Sequence, residues 1–425
     1  MIRLTGMLHE AAFREILDRW LIGRFSPDDC ATLKRIVNFN AYADRVYLDE
    51  FAAAMLGALV DRPTFSFPAT RKGTLKDFIV RSVPCRSARA EAMISHYTRF
   101  PEDYYRETPF EGRIYAVGDG NSSTYVMSSR VKRMRRIAEK GARRIIDHIF
   151  AEIKRRADDL AAERAAHLGV PKDRLVTSPE EQIAEFAHAE RRLIKAIRSG
   201  TFLEGQPDLV IHDVTGVKVI TDIVPIDRLR EWFDRDPRIE VMEEEPHEGR
   251  YNAVNFLLRY RLDKERLVER APDGRGSAIL VSRGVAAPGS LPDSYASFVR
   301  SAEDTVVIEM IAAGYEEMLE SEIGRSMHEN RIIEQRRQQE YRGHLAKNIE
   351  YLVEFALAFA LSPMRTLEGQ PLRVWVKYMP DTFDDMLKSL WGIPASASIP
   401  CGEPEVQRGL PAAGVIEPAW NGGTT

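Results

Sequence analysis

The stretch Asp208-Leu-Val-Ile-His-Asp-Val-Thr-Gly-Val-Lys-Val-Ile-Thr221 decides how this chain is read. It is rich in β-branched residues and bounded by turn formers, so it predicts a strand, a bend and a second strand. Asp213 lies inside that run. A carboxylate among apolar strand residues is costly to bury unless it is paired or meets a cation. Holding magnesium on the phosphates of a nucleotide is one common reason for the placement. A strand end or an exposed face is the plain structural one.

Working outward, the chain changes character on both sides of this run. Downstream, residues 226–234 predict a short amphipathic helix, and 240–242, 253–262, 277–281 and 305–310 predict strands. Helix is expected again over 313–361, broken in the polar stretch 334–340, with a late strand at 372–378. Upstream, 134–167 and 178–199 carry helical periodicity on either side of Gly169-Val170-Pro171. Ser178-Pro179 supplies a capping serine and a proline in the first turn, and Gly200 a stop, so the two segments predict a helical hairpin. In residues 1–62, Ala11, Phe13, Ile16, Leu17 and Trp20 recur at helical spacing, and Ser26-Pro27-Asp28-Asp29 reads as a helix start. A further helix is expected over 48–59, then loops around Pro63, Pro68, Pro84, Pro101 and Pro109.

The expectation is an α+β chain with its strands held largely within 208–311. It divides into an N-terminal helical region 1–114, a central domain 115–330 with a helical insertion at about 140–199, a C-terminal helical extension 331–393 and a flexible tail 394–425. Local charge carries more than the net charge of −4. Arg130, Lys132, Arg133, Arg135, Arg136 and Lys140 crowd a loop-to-helix junction, where free N–H groups and the helix dipole favour a polyphosphate. A solvated basic face would look the same from charge alone. Gly249-Arg250-Tyr251 opens a strand with an aromatic ring that can stack on a base or simply pack. Val306-Val307-Ile308-Glu309-Met310-Ile311 places one carboxylate in an apolar strand.

Taken in order, Arg-x-Lys entering a helix, Asp-x-x-Gly-x-Lys, Gly-x-Tyr opening a strand and an acidic strand before a helix resemble the RelA/SpoT synthetase domain. The resemblance implies a nucleotidyltransferase-like mixed sheet flanked by helices. It also implies transfer of pyrophosphate from ATP to the 3′-hydroxyl of GDP or GTP, giving guanosine tetra- or pentaphosphate alarmones. Arg130, Lys132, Ile137 and Lys140 match the family's spacing in the first loop; by the resemblance the basic residues here, Arg136 among them, would grip the phosphates of ATP. Asp213 falls on the family's magnesium-binding aspartate, with Lys218 where the family has arginine. Tyr251 falls on the tyrosine that stacks on the acceptor guanine. Asn255 stands in place of the family's histidine and Ala253 in place of its serine.

For the acidic strand two registers are open. One puts Val307 at the family's catalytic glutamate and Glu309 at its glutamine; the other makes Glu309 the glutamate and loses the helix match at Glu322. Residues two apart share a strand face, so Glu309 can point into the site in either. The expected catalytic and Mg2+-binding pair is Asp213 and Glu309. Some family members modify adenine nucleotides and some pyrophosphorylate tRNA, so the acceptor stays open, and the basic stretch 130–156 would suit RNA. A catalytically inactive nucleotide sensor or scaffold is the reading from another class.

Arg130 and Asp213 stand 83 positions apart, more than the family uses, which makes 140–199 an insertion that would serve oligomerisation or partner binding. His212-Asp213 is the one His-Asp pair, so the accompanying hydrolase is not expected. Cys30, Cys85 and Cys401 form no CxxC pair, no signal peptide is read at the start, and no apolar run is long enough to span a bilayer. The expected location is the cytoplasm.

Overall fold

A computed structural model describes residues 1–393 except 83–86, 119–122, 250, 326 and 339. The tail 394–425, Cys85, Cys401, Pro84 and Arg250 lie outside the described residues.

The chain begins with β1 (Ile2–Leu4), α1 (Glu10–Leu21) and α2 (Pro27–Leu59). Ser26 and Asp29 cap α2 reciprocally, with Pro27 at its first position, as the sequence predicts. The helix then runs unbroken for 33 residues, so the helix expected over 48–59 is its final part. Next come β2 (Thr64–Arg71), α3 (Lys72–Arg81), α4 (Ala88–Arg99), β3 (Pro109–Val117) and β4 (Thr124–Val131). These strands correct the expectation of helices and proline-bearing loops in the first third. Pro68 sits in β2, an edge strand bonded to β3 alone, and Pro109 opens β3; both are places where a sheet tolerates a residue without N–H. The boundary drawn at 114/115 falls inside β3.

The expected hairpin is α5 (Met134–His167) and α6 (Pro179–Ser199), with Ser178 and Glu181 as capping box and Gly200 at φ 87° as stop. β5 (Leu209–Ile211) and β6 (Thr215–Ile220) are the strand pair of the deciding stretch, but they serve different sheets. β5 pairs in parallel with β1, whereas β6 enters the main sheet. α7 (Ile226–Arg235), β7 (Ile239–His247) and β8 (Ala253–Arg261) follow as expected in kind. After them come α8 (Lys264–Glu269), α9 (Gly274–Ser282) and α10 (Leu291–Arg300). The strand expected over 277–281 is therefore helix; so short an apolar run carries no periodicity that separates the two.

β9 (Thr305–Ala313) completes the sheet, and α11 (Tyr315–Ile323), α12 (His328–Arg337), α13 (His344–Leu361) and α14 (Pro380–Ser389) end the described chain. No strand forms over 372–378. There Asn348 Nδ2 donates to the Val374 carbonyl at 2.8 Å, so a side chain does what a ladder would have done.

The main sheet has seven strands in the order β2-β3-β4-β6-β9-β8-β7, and β6 with β9 is its parallel pair. One face, with Val217, Val219, Ile308, Met310 and Phe256, packs into an apolar core shared with α1, α2, α7 and α13. The other face is covered at its β2–β3–β4 end by α3, α4 and α11. Toward β8 and β7 the same face borders a cleft. Among the described residues no helix is long and apolar enough to cross a membrane.

Candidate phosphate-binding site

Arg130, Gly216, Glu309 and Leu257 lie abreast on β4, β6, β9 and β8. The next row on that face is Ser128, Lys218, Ile311 and Asn255, because side chains alternate along each strand. Arg130 Nη2 donates to Glu309 Oε2 at 3.2 Å across the position of Gly216. A Cβ on Gly216 would stand 3.4 Å from Arg130 Nε and 3.6 Å from Glu309 Oε2, so the missing side chain is what lets the two charges meet. Glu309 is thus the carboxylate that β9 brings to the cleft. Val307, two residues earlier, is buried, and its N–H donates to the Thr5 carbonyl at 2.9 Å.

Asp213 occupies the bend between β5 and β6. Lys132 follows β4 directly, and its N–H donates to the Val214 carbonyl at 2.7 Å, which fixes its backbone beside the bend. Its ammonium group bonds one oxygen of Asp213, and Lys140 Nζ, two turns into α5, bonds the other at 2.7 Å. Burial works against the charged carboxyl, but Lys132 and Lys140 outweigh it and hold Asp213 well below the ordinary aspartate range. Lys132 is itself pushed down to about 8: burial is the main cause, Lys140 and Arg130 add to it, and Asp213 opposes it. Asp213, Glu309, Lys140 and Arg144 line one cleft, walled on the far side by Asn255 and by Glu243 and Glu245 of β7.

The other expected residues divide. Lys218 is turned to Glu322 of α11 at 2.7 Å, and Lys72 of α3 reaches the second oxygen of that carboxylate at 2.9 Å. Glu322 is 1% exposed, and the two lysines overcome its burial to hold it far below the usual carboxylate range. Tyr251 is half-buried, its hydroxyl pushed up to about 12 by burial and by Glu322, Glu317 and Glu309. Asn255 lines the cleft, and its Oδ1 is buried without a hydrogen-bond partner among the described residues. Arg136 is not in the Asp213 group; it pairs with Glu139, which Arg336 of α12 also holds at 2.7 Å.

Several neighbours went unread in the sequence. Lys72 lies in a region without any motif. Arg144 follows Lys140 by one helical turn, which is the signal that would have found it. Glu243 and Glu245 stand two apart in a strand, and period two places them on one face. His328 opens α12, and burial together with Arg130, Lys72 and Lys218 pushes its imidazole down to about 2, so it is neutral.

Hard oxygen donors are what magnesium takes, usually one or two carboxylates with water and substrate phosphate completing the shell. Among the described residues no group of three or more His, Cys, Asp or Glu side chains is gathered as a metal cage. Asp213 and Glu309 face one cleft and are each already matched by cations. That donor set suits an ion arriving with a polyphosphate better than one held by protein alone.

Comparison with family models, with curated proteins and with solved structures gives no match for this chain.

Proposed function

We propose that this chain is a Mg2+-dependent pyrophosphoryl transferase of the RelA/SpoT kind on a nucleotidyltransferase-like sheet. ATP is the donor and a guanine nucleotide, GDP or GTP, the acceptor. The reading is carried by one observation: Asp213 and Glu309, far apart in sequence, face one cleft and are paired there with three cations, Arg130, Lys132 and Lys140. Phosphoryl-type transfer depends mainly on positioning and charge, which is what such a group supplies.

In this reading Lys132, Lys140 and Arg130 exchange their carboxylate partners for phosphate oxygens, and arginine suits that exchange through its paired donors. Asp213 and Glu309 are then released to hold Mg2+, which when bound would offset charge on the transferred phosphates. The acceptor 3′-hydroxyl attacks the β-phosphorus and releases its proton to solvent, the bond to the α,β-bridging oxygen breaks, and AMP leaves with that oxygen. Tyr251 offers its ring to the acceptor base.

A second reading is favoured by a specific observation. Both cleft carboxylates are neutralised by partners on the chain itself, as in a protein that binds nucleotide without turning it over. Incubation with labelled ATP and GDP, GTP, ADP, ATP or tRNA, followed by product separation, decides between them. A guanine nucleotide carrying the labelled pyrophosphate, lost in Asp213→Asn, is the expected result. Mg2+-dependent ATP binding with no product from any acceptor overturns transfer in favour of a sensor, and product from tRNA alone replaces the acceptor.

A further inference from the structure

We infer that the exposed face of the C-terminal half of α6 docks single-stranded nucleic acid. Arg191, Arg192, Lys195 and Arg198 are all exposed, and none has an ion-pair partner among the described residues. Arg191, Lys195 and Arg198 fall at four- and three-residue spacing on one stripe, with exposed His188 a turn before them. Arg24 extends the stripe past the helix end. Its Nη2 lies 3.2 Å from where a Cβ on Gly200 would stand, and it too is exposed without an ion-pair partner among the described residues.

The neighbouring helix is built the other way. Every lysine and arginine of α5 except Arg144 is held in an ion pair, as Arg155 is by Glu152 and Asp159, and Arg164 by Glu185. The basic stretch 130–156 that the sequence suggests for RNA is therefore largely neutralised, with Arg133 and Arg144 its exceptions, whereas all four cations of the α6 face are unmatched among the described residues. Like charges at this spacing repel one another along a helix, and no carboxylate on the stripe relieves them. Such a surface is complementary to a polyanion.

Two features narrow the polyanion to a nucleic-acid strand. A helix that lies on a lipid surface needs an apolar face beside its cations. In α6 that face, with Ala189, Leu193 and Ile197, is already buried in the apolar core beside α5. A single stripe about 10 Å long from Arg191 to Arg198 follows one phosphate backbone rather than the two of a duplex. The segment after α6 leads on to Val210 in the wall of the cleft, beside the unpaired Arg144.

The test uses the full chain and a fluorescein-labelled mixed-sequence RNA of about 20 nucleotides, read by anisotropy without ATP from 50 to 300 mM salt, with a duplex and phosphatidylserine vesicles as parallel probes. Each phosphate neutralised on a single strand contributes about −0.7 to the slope of log K against log salt, so the stripe predicts a slope of about −2 to −4. The variant R191E/R192E/K195E/R198E should bind at least tenfold more weakly with a shallower slope, and R155E on α5 should bind as the parent does. If the glutamate variant does not fold by circular dichroism, the same four changes to glutamine carry the comparison. Absence of RNA binding at 50 mM salt, equal affinity in the α6 variant, or binding to vesicles alone overturns the inference. Nucleotide transfer is assayed separately, so its failure leaves this result standing, and the converse holds.

Discussion

Arg130 and Glu309 are joined at 3.2 Å through the gap that Gly216 leaves between their strands. The three residues are ladder partners on β4, β6 and β9, so the ion pair is set by sheet register rather than by flexible side chains. The strand conformation of Gly216 is open to any residue, since its φ is not in the left-handed region. What excludes a side chain is space: a Cβ would meet the Glu309 carbonyl oxygen at 3.3 Å as well as the two charged groups.

Gly216→Ala should therefore fold, at a cost of about 1–3 kcal/mol from overpacking, while separating Arg130 from Glu309. Urea denaturation measures the first effect and nucleotide binding the second. The expected pattern is a larger proportional loss of binding than Ser128→Ala shows, since Ser128 lies one row away. Equal losses in the two variants would remove any special role for the gap.

A pH dependence follows from Lys132. Its ammonium group titrates at about 8 in the structure, below the ordinary 10.5. If phosphate binding requires that charge, the competent fraction is nearly full at pH 7 and falls about tenfold per pH unit above 8. Nucleotide affinity should weaken accordingly between pH 8 and 10, and Lys132→Arg should flatten the profile because arginine stays charged. Titration calorimetry across that range checks it. A flat profile in the parent protein would show that Lys132 does not meet the ligand.

How much of this was legible in the sequence depends on the residue. The Asp208–Thr221 stretch carried its own strands because β-branched residues between turn formers have few alternatives, and Ser178 and Gly200 marked α6 by chemistry local to a helix end. The early strands were hidden by Pro68 and Pro109, which read as loop signals until the edge position of β2 and the start of β3 are known. The site shows the same division. Lys132 and Lys140 stand close in sequence to each other, whereas Lys72 meets Glu322 across 250 positions, a distance no local pattern encodes.

That distant contact is testable through stability. Glu322 is buried between Lys218 and Lys72, so removing its charge leaves Lys218 unmatched in the interior and Lys72 with only Glu329, at 3.9 Å. Glu322→Gln should lose about 3–5 kcal/mol at pH 7. The sign of the pH effect is fixed by the lowered carboxyl: its contribution is complete above the ordinary value of 4.5 and is lost as pH falls toward the depressed folded value. Acid unfolding of the parent should accordingly be steeper below pH 4.5 than that of the variant. Parallel acid limbs would mean that the Glu322 group does not govern acid stability.

The last prediction concerns α12, which lies between α5 and the loop before β3. Arg336 Nη2 meets both oxygens of Glu139 at 2.7 and 2.8 Å, Arg143 Nη1 donates to the Gln335 carbonyl at 2.7 Å, and Tyr105 donates to Asn330 at 3.2 Å. These contacts are largely exposed, and exposed pairs are worth about 1 kcal/mol or less each. Few apolar side chains back them, since Glu329 is the one fully buried residue along α12. Such a segment opens locally at a free energy well below that of global unfolding. Glu139→Ala should therefore leave the global denaturation midpoint nearly unchanged while speeding hydrogen exchange several-fold in residues 328–337. Exchange that slows only with global stability would instead make α12 an integral part of the core.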